Sequence, residues 1–389
     1  MTSATRTRPP GPTEPAARAL GPDLARGFML LFIALANTHY FLRGPAVLGG
    51  YPHAGSAVDA AVTWLLTTFV DGRAFPMFGL LFGYGVAQIA RRQRERGARG
   101  VRRLLWRRSA ALVTVGLTDA LLFFVGDILA AYGVLLFLGV WLIRWRDRWL
   151  LVLAVAFLAL NALPSGDAST ISREPADPSM LPPDLSAMLT HRVPVALFIA
   201  ALGPIGFLAP FAVGLWAGRR RILEQPERHR RALTVAAVAG LGAAVLGAQP
   251  IALLLAGIIE APGQQTLAWL ASLHGTTGTL GGLGYAALIS LLAVRLAGRR
   301  RPIVDAIAAT GQRSMTFYLM QSMTWAVVFT PFLLDLSGTL TVLGTAVLAA
   351  ATWAAGVVIA DRMRRAGWRG PFEVLVRRVT YGRREVRAA

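Results

Sequence analysis

DLARGFMLLFIALANTHY, residues 23–40, is the stretch from which the rest of the chain is read. An acid and a base three residues apart, Asp23 and Arg26, open an apolar run that closes on an amide and an imidazole, Asn37 and His39. The run approaches the roughly 20 residues that a bilayer crossing needs. Polar groups are expensive in lipid, so those at the ends of this segment either anchor it or carry chemistry.

The whole chain repeats the pattern. Its 389 residues are 55% hydrophobic and only 15% charged, with a mean hydropathy of +0.53. That composition fits an all-α, polytopic membrane protein in a lipid bilayer and is too apolar for a soluble domain. The net charge of +20 comes from 40 basic residues, all of them arginine. They sit in short clusters between apolar runs, as cytoplasmic loops do under the positive-inside rule, and this excludes a nucleic-acid partner. With no lysine, a Schiff-base lysine and a Walker A loop are excluded. With no cysteine, so are disulfides and thiolate chemistry.

Residues 1–22, rich in Pro, Thr and Arg, are expected to form a disordered cytoplasmic tail, 23–366 a single transmembrane helical domain, and 367–389 a basic cytoplasmic tail. No short apolar core leads to a small-residue cleavage site near the start, so no cleavable signal peptide is expected. Apolar runs fall at 24–42, 75–90, 104–125, 127–143, 149–164, 193–217, 231–256, 267–295, 314–333 and 338–361. Nine arginines from Arg91 to Arg108 mark that loop as cytoplasmic. Residues 57–90 must then cross once, with 57–70 a half-inserted or interfacial helix broken at Asp71-Gly72-Arg73. About ten crossings follow, with both termini cytoplasmic and the protein in the bacterial plasma membrane.

Arg26 and Asn37 are eleven residues apart, so on a helix they lie about 20° apart around the axis and roughly 16 Å apart along it. Asp23 and Arg26 can pair across one turn. His39 lies about 200° around from Asn37 and shares its face only if the helix ends there. It reads either as a packing histidine or as a base. His53, in the external Tyr51-Pro52-His53 loop, can reach solvent and titrates near neutrality. Asp119 lies inside a span, where a carboxylate needs a partner or a wet cavity. Asp127 follows Gly126 and suits a helix cap. In ATGQRSMTFYLMQS, residues 309–322, Gln312 and Arg313 stand at the cytoplasmic mouth, with Tyr318 and Gln321 deeper on one face. They suit either inter-helix hydrogen bonding or a pathway. No histidine pair has metal-ligand spacing, so no metal is expected.

The motifs DLARGFMLLFIALAN, FPMFGLLFGYG, GDILAAYG, ATGQRSMTFYLMQS and WRGPFEVLVRRVTYG, in this order, resemble the YeiB-like bacterial membrane proteins, defined by a domain of unknown function numbered 418. The first helix is also similar to that of transmembrane acyltransferases, in which an arginine precedes a polar residue by eleven positions. One branch has a catalytic histidine there. The heparan glucosaminide acetyltransferase branch has an asparagine, as here, and a catalytic histidine in the next external loop. The resemblance implies acyl-CoA entering from the cytoplasm onto Arg26, Arg313 and Gln312. It implies His53 or His39 as the base, and Asn37 binding the acyl carbonyl or orienting a small-molecule or lipid-linked acceptor. His53 follows Asn37 by sixteen residues, a longer gap than that branch leads one to expect, which keeps His39 as a rival. A transporter or flippase using Asp119, Asp127, Tyr318 and Gln321, and a non-catalytic membrane module, are the alternatives.

Overall fold

The computed structural model describes residues 20–53, 55–164, 171–296 and 301–382. Thirteen α-helices run in chain order among the described residues: α1 Leu20–Thr38, α2 Ala57–Phe69, α3 Ala74–Arg92, α4 Gly97–Leu122, α5 Leu129–Gly139, α6 Asp147–Asn161 and α7 Leu185–Arg219. They continue with α8 Arg230–Leu255, α9 Gln264–Leu296, α10 Pro302–Gln312, α11 Ser314–Phe329, α12 Val342–Arg365 and α13 Pro371–Tyr381. The two-residue strands Val47–Leu48 and Tyr51–Pro52 form one antiparallel hairpin, so the all-α expectation holds among the described residues.

Each of the ten apolar runs falls on a helix. Among the described residues, six helical segments are long and apolar enough to cross a membrane: Leu20–Phe41, Ala57–Arg92, Leu185–Arg219, Arg230–Leu255, Gln264–Leu296 and Val342–Arg365. The runs on α4, α5, α6 and α11 are shorter or carry arginines at one end, and helix dimensions do not establish them as spans. The break expected at Asp71-Gly72-Arg73 separates α2 from α3, and Gly72 has a φ of +74°, a left-handed conformation that glycine adopts without strain. α1 starts at Leu20, inside the stretch expected as tail, and the basic C-terminal segment includes a helix, α13.

Two crossings place the site. At the first, α1 meets α10 backbone to backbone. A β-carbon on Gly27 would overlap the Ile307 carbonyl, and one on Gly311 would overlap the Asp23 carbonyl. Such reciprocal small residues allow close approach where lipid supplies no hydrophobic drive between helices. Gln312 and Arg313, at the end of α10, thereby line the same cavity as Asp23 and Arg26. At the second, Gly83 of α3 lies against the Phe211 carbonyl of α7, which leaves the FPMFGLLFGYG helix packed along α7.

Candidate functional site

At the arginine-rich end of the bundle, α1, α3, α4, α5, the α7–α8 loop, α10, α11 and α13 enclose a cavity of about 870 Å³. Its walls carry Arg26, Arg91, Arg92, Arg108, Arg221, Arg313, Arg369 and Arg377, against three carboxylates, Asp23, Glu224 and Glu373. Deeper, the lining turns apolar through Met29, Phe78, Leu81, Phe82, Leu112 and Leu129, with Tyr132 and Tyr318 among them. The shape suits an amphiphile whose anionic group stays at the mouth. Arginine suits that group because its planar fork bonds phosphate or carboxylate oxygens two at a time.

The individual arginines are oriented differently. Arg26 pairs with Asp23 at 3.1 Å and donates to the Leu81 carbonyl at 3.4 Å, with a fifth of its side chain exposed. Arg91 is clamped by Glu224 at 2.8 and 2.9 Å and donates to the Gly218 carbonyl at 2.6 Å. Arg313 is buried. Its guanidinium bonds the Ala309 carbonyl at 3.0 Å and the Trp368 carbonyl at 2.5 and 3.2 Å. Those bonds make it the clasp between α10 and the loop before α13. Of the three residues assigned to the donor, all line the cavity, and Arg26 and Gln312 are the more accessible two.

α13 closes one side. Glu373 accepts from the backbone N–H groups of Met315 at 2.8 Å and Thr316 at 3.2 Å, and from the Thr316 hydroxyl at 2.5 Å. A carboxylate on the first turn of α11 satisfies otherwise unpaired N–H groups and meets the positive end of the helix dipole. Glu373→Ala is therefore expected to lower stability by about 2 kcal/mol. Thermal unfolding in detergent measures this, and limited proteolysis should show faster cutting near residues 366–382.

The assigned catalytic residues lie elsewhere. Asn37 ends α1 half-buried, and the cavity walls include neither it, nor His39, nor His53. His39 is buried between two aromatic rings, with centroids 4.1 Å from Tyr40 and 4.0 Å from Tyr51. The Tyr51 hydroxyl donates to Asp71 at 2.7 Å. Arg73, fully buried, donates to the Asp71 carbonyl and to the Ala244 carbonyl at 2.7 Å, and meets His274 Nε2 at 3.3 Å. In sequence, Asp71 and Arg73 signal a helix break, and the only local sign of this network is two opposite charges in an apolar stretch. His53 follows the hairpin and is exposed. Partial burial still lowers its pKa below the usual histidine value.

Asp119 on α4 and Asp127 before α5 face one another, each 1% exposed. Ser322, Arg192 and Tyr318 are further polar neighbours of Asp119, and neither Asp119 oxygen makes a hydrogen bond of normal geometry. Asp127 Oδ2 accepts from the Ala130 N–H at 3.1 Å, the capping role its position suggests. Tyr318 reaches Asp127 from the cavity wall, so the carboxylate pair lies directly behind that wall. Gln321 does not line the cavity; its amide donates to the Leu30 carbonyl at 3.0 Å, joining α11 to α1 one turn beyond Tyr318.

Residues 217–383 match the family described as Protein of unknown function (DUF418). Along nearly its full length the protein is also 27% identical, over 402 residues, to the uncharacterized protein YxaH of Bacillus subtilis (strain 168), covering 92% of this chain and 93% of that protein. The matching stretch contributes Arg221, Glu224, the Gly311–Arg313 crossing, Tyr318 and all of α13 to the cavity. The opposite wall, from α1, α3 and α4, precedes it.

Proposed function

We propose that the protein takes a phosphate-bearing acyl donor, acyl-CoA, into the arginine-lined cavity from the cytoplasmic side and transfers the acyl group to an extracytoplasmic or lipid-borne acceptor. The observation that supports this is the cavity itself, with eight arginines against three carboxylates at its mouth and an apolar interior. The anionic end of the donor meets Arg26 and its neighbours, and the acyl-bearing arm points inward along Met29 and Phe78. His53 takes the proton of the acceptor hydroxyl or amine. The acceptor's oxygen or nitrogen forms the new acyl bond, the thioester C–S bond breaks, and the departing thiolate is protonated. Because Leu30 and Gln321 lie just beyond the cavity along α1 and α11, this reading requires their contact to open during turnover.

Purified protein in proteoliposomes, supplied with labelled acetyl-CoA, tests the reading. His53→Ala is expected to reduce transfer at least 100-fold while leaving acetyl-CoA binding intact. Transfer that survives both His53→Ala and His39→Ala would overturn it. The pH profile gives a second check. A general base works only when neutral, and burial lowers the His53 pKa. Activity is thus retained through neutral pH and falls on acidification, with a midpoint below the ordinary histidine value of about 6.5.

A second reading, transport of the anionic amphiphile, draws on the Asp119–Asp127 pair behind Tyr318. It expects Asp119→Asn to abolish flux and His53→Ala to leave it unchanged.

A further inference from the structure

A second hollow, of about 650 Å³, opens at the arginine-rich end between the α3–α4 connection, the end of α5 and the end of α7. Among the described residues its walls hold six arginines, Arg91, Arg94, Arg99, Arg102, Arg144 and Arg219, and no carboxylate. Two of these are matched nearby, Arg91 by Glu224 and Arg219 by Asp147. Arg94, Arg99 and Arg144 are exposed and form no ion pair among the described residues. Arg102 is held over the Trp141 ring at 4.7 Å and the Trp106 ring at 5.0 Å, a cation–π arrangement that fixes the guanidinium at the rim.

The other walls are apolar: Val101, Val140, Trp141, Ile143 and Leu215. Exposed Trp141, Trp145 and Trp149 surround this end, and exposed Phe137 and Leu138 continue the apolar surface along α5. Tryptophan is enriched at the level of lipid headgroups, and basic pockets between helices on the cytoplasmic side bind anionic headgroups. Cations at the rim, tryptophans at the interface and an aliphatic wall leading towards lipid match the phosphate, glycerol and acyl chains of one kind of molecule. We infer that this hollow is a binding site for an anionic phospholipid of the surrounding leaflet. Its phosphate is held by Arg99, Arg102 and Arg144, and its chains lie against Trp141 and α5. The site is separate from the donor cavity, although the Arg91 side chain lines both.

Native mass spectrometry of the purified full-length protein, titrated with phosphatidylglycerol, cardiolipin or phosphatidylcholine, tests this. The wild type should retain an anionic lipid where phosphatidylcholine is stripped. The variant R99Q/R102Q/R144Q should lose roughly 100-fold in affinity, given about a factor of five per arginine near the surface. R99Q alone should show a smaller loss in the same direction, which guards against misfolding of the triple variant. R103Q/R107Q, which removes basic residues outside the hollow, should bind as the wild type does. Equal retention of phosphatidylcholine would contradict the inference, as would unchanged binding by the triple variant or an equal loss in R103Q/R107Q. Displacement of the lipid by inorganic phosphate at similar concentration would show a free-anion site and also overturn it. Acetyl-CoA titration of the triple variant reads the donor cavity separately, so either proposal can fail while the other stands.

Discussion

Gly311→Ala is expected to be the most damaging single-methyl change in the protein. The new β-carbon would overlap the Asp23 carbonyl oxygen and crowd the Gly27 amide nitrogen. Both are backbone atoms inside helices, so neither can rotate aside as a flexible side chain would. Overpacking of an ordinary core costs about 1–3 kcal/mol, and here α1 and α10 must separate, so the loss should reach at least about 3 kcal/mol. Gly242→Ala supplies the contrast. No atom lies within 4 Å of a β-carbon there, and a helical glycine replaced by alanine gains about 0.5–1 kcal/mol. Thermal unfolding of the two variants in one detergent should place them on opposite sides of the wild type. Gly311→Ala should also weaken ligand binding in whatever fraction folds, because the crossing holds Gln312 and Arg26 on the walls of one cavity.

Arg26→Ala is expected to weaken acetyl-CoA binding by roughly 10–100-fold, the equivalent of a charge-assisted hydrogen bond of about 1.5–3 kcal/mol. Arg26 is the cavity arginine that the α1 motif itself supplies, and its contact with Leu81 ties that motif to α3. Removing it also deprives Asp23, 3% exposed, of the partner at 3.1 Å, so some stability is lost as well. Arg26→Lys separates the two effects. Lysine keeps the charge but not the planar fork, so stability should return more fully than affinity. Raising salt should weaken wild-type binding and narrow the gap to Arg26→Ala, because the mouth is open to solvent and its charges are screened.

Local patterns carried much of the fold. The ten apolar runs read from the sequence all lie on helices, the α2–α3 break falls at Asp71-Gly72-Arg73, and the Asp23–Arg26 pair forms as i, i+3 geometry suggests. What local patterns could not carry was convergence. Arg91, Arg92 and Arg108 read as part of a cytoplasmic charge cluster, which a solvated loop would satisfy equally. They line the same cavity as Arg26 because α3 packs against α1 while α4 packs on α5 and α13. Glu373, far along the chain, gave no sign that it would cap α11 and seat α13 against the cavity. The buried network around Arg73 draws on α3, α8, α9 and the hairpin, and no periodicity within one helix reports on such a meeting. Arg26 and Asn37, eleven residues apart, both lie on α1. Only Arg26 lines the cavity, because Leu30 and Ala34, both fully buried, fill the same helix between them.

The central claim is that the arginine-lined cavity recognises phosphate. Wild-type protein in nanodiscs, titrated calorimetrically with acetyl-CoA and in parallel with S-acetylpantetheine, which has the same thioester arm and no phosphate, tests it directly. Saturable, salt-sensitive binding of acetyl-CoA that is at least 100-fold tighter than that of S-acetylpantetheine is the predicted result. Equal affinity for the two, or no binding of acetyl-CoA at low salt, would contradict it.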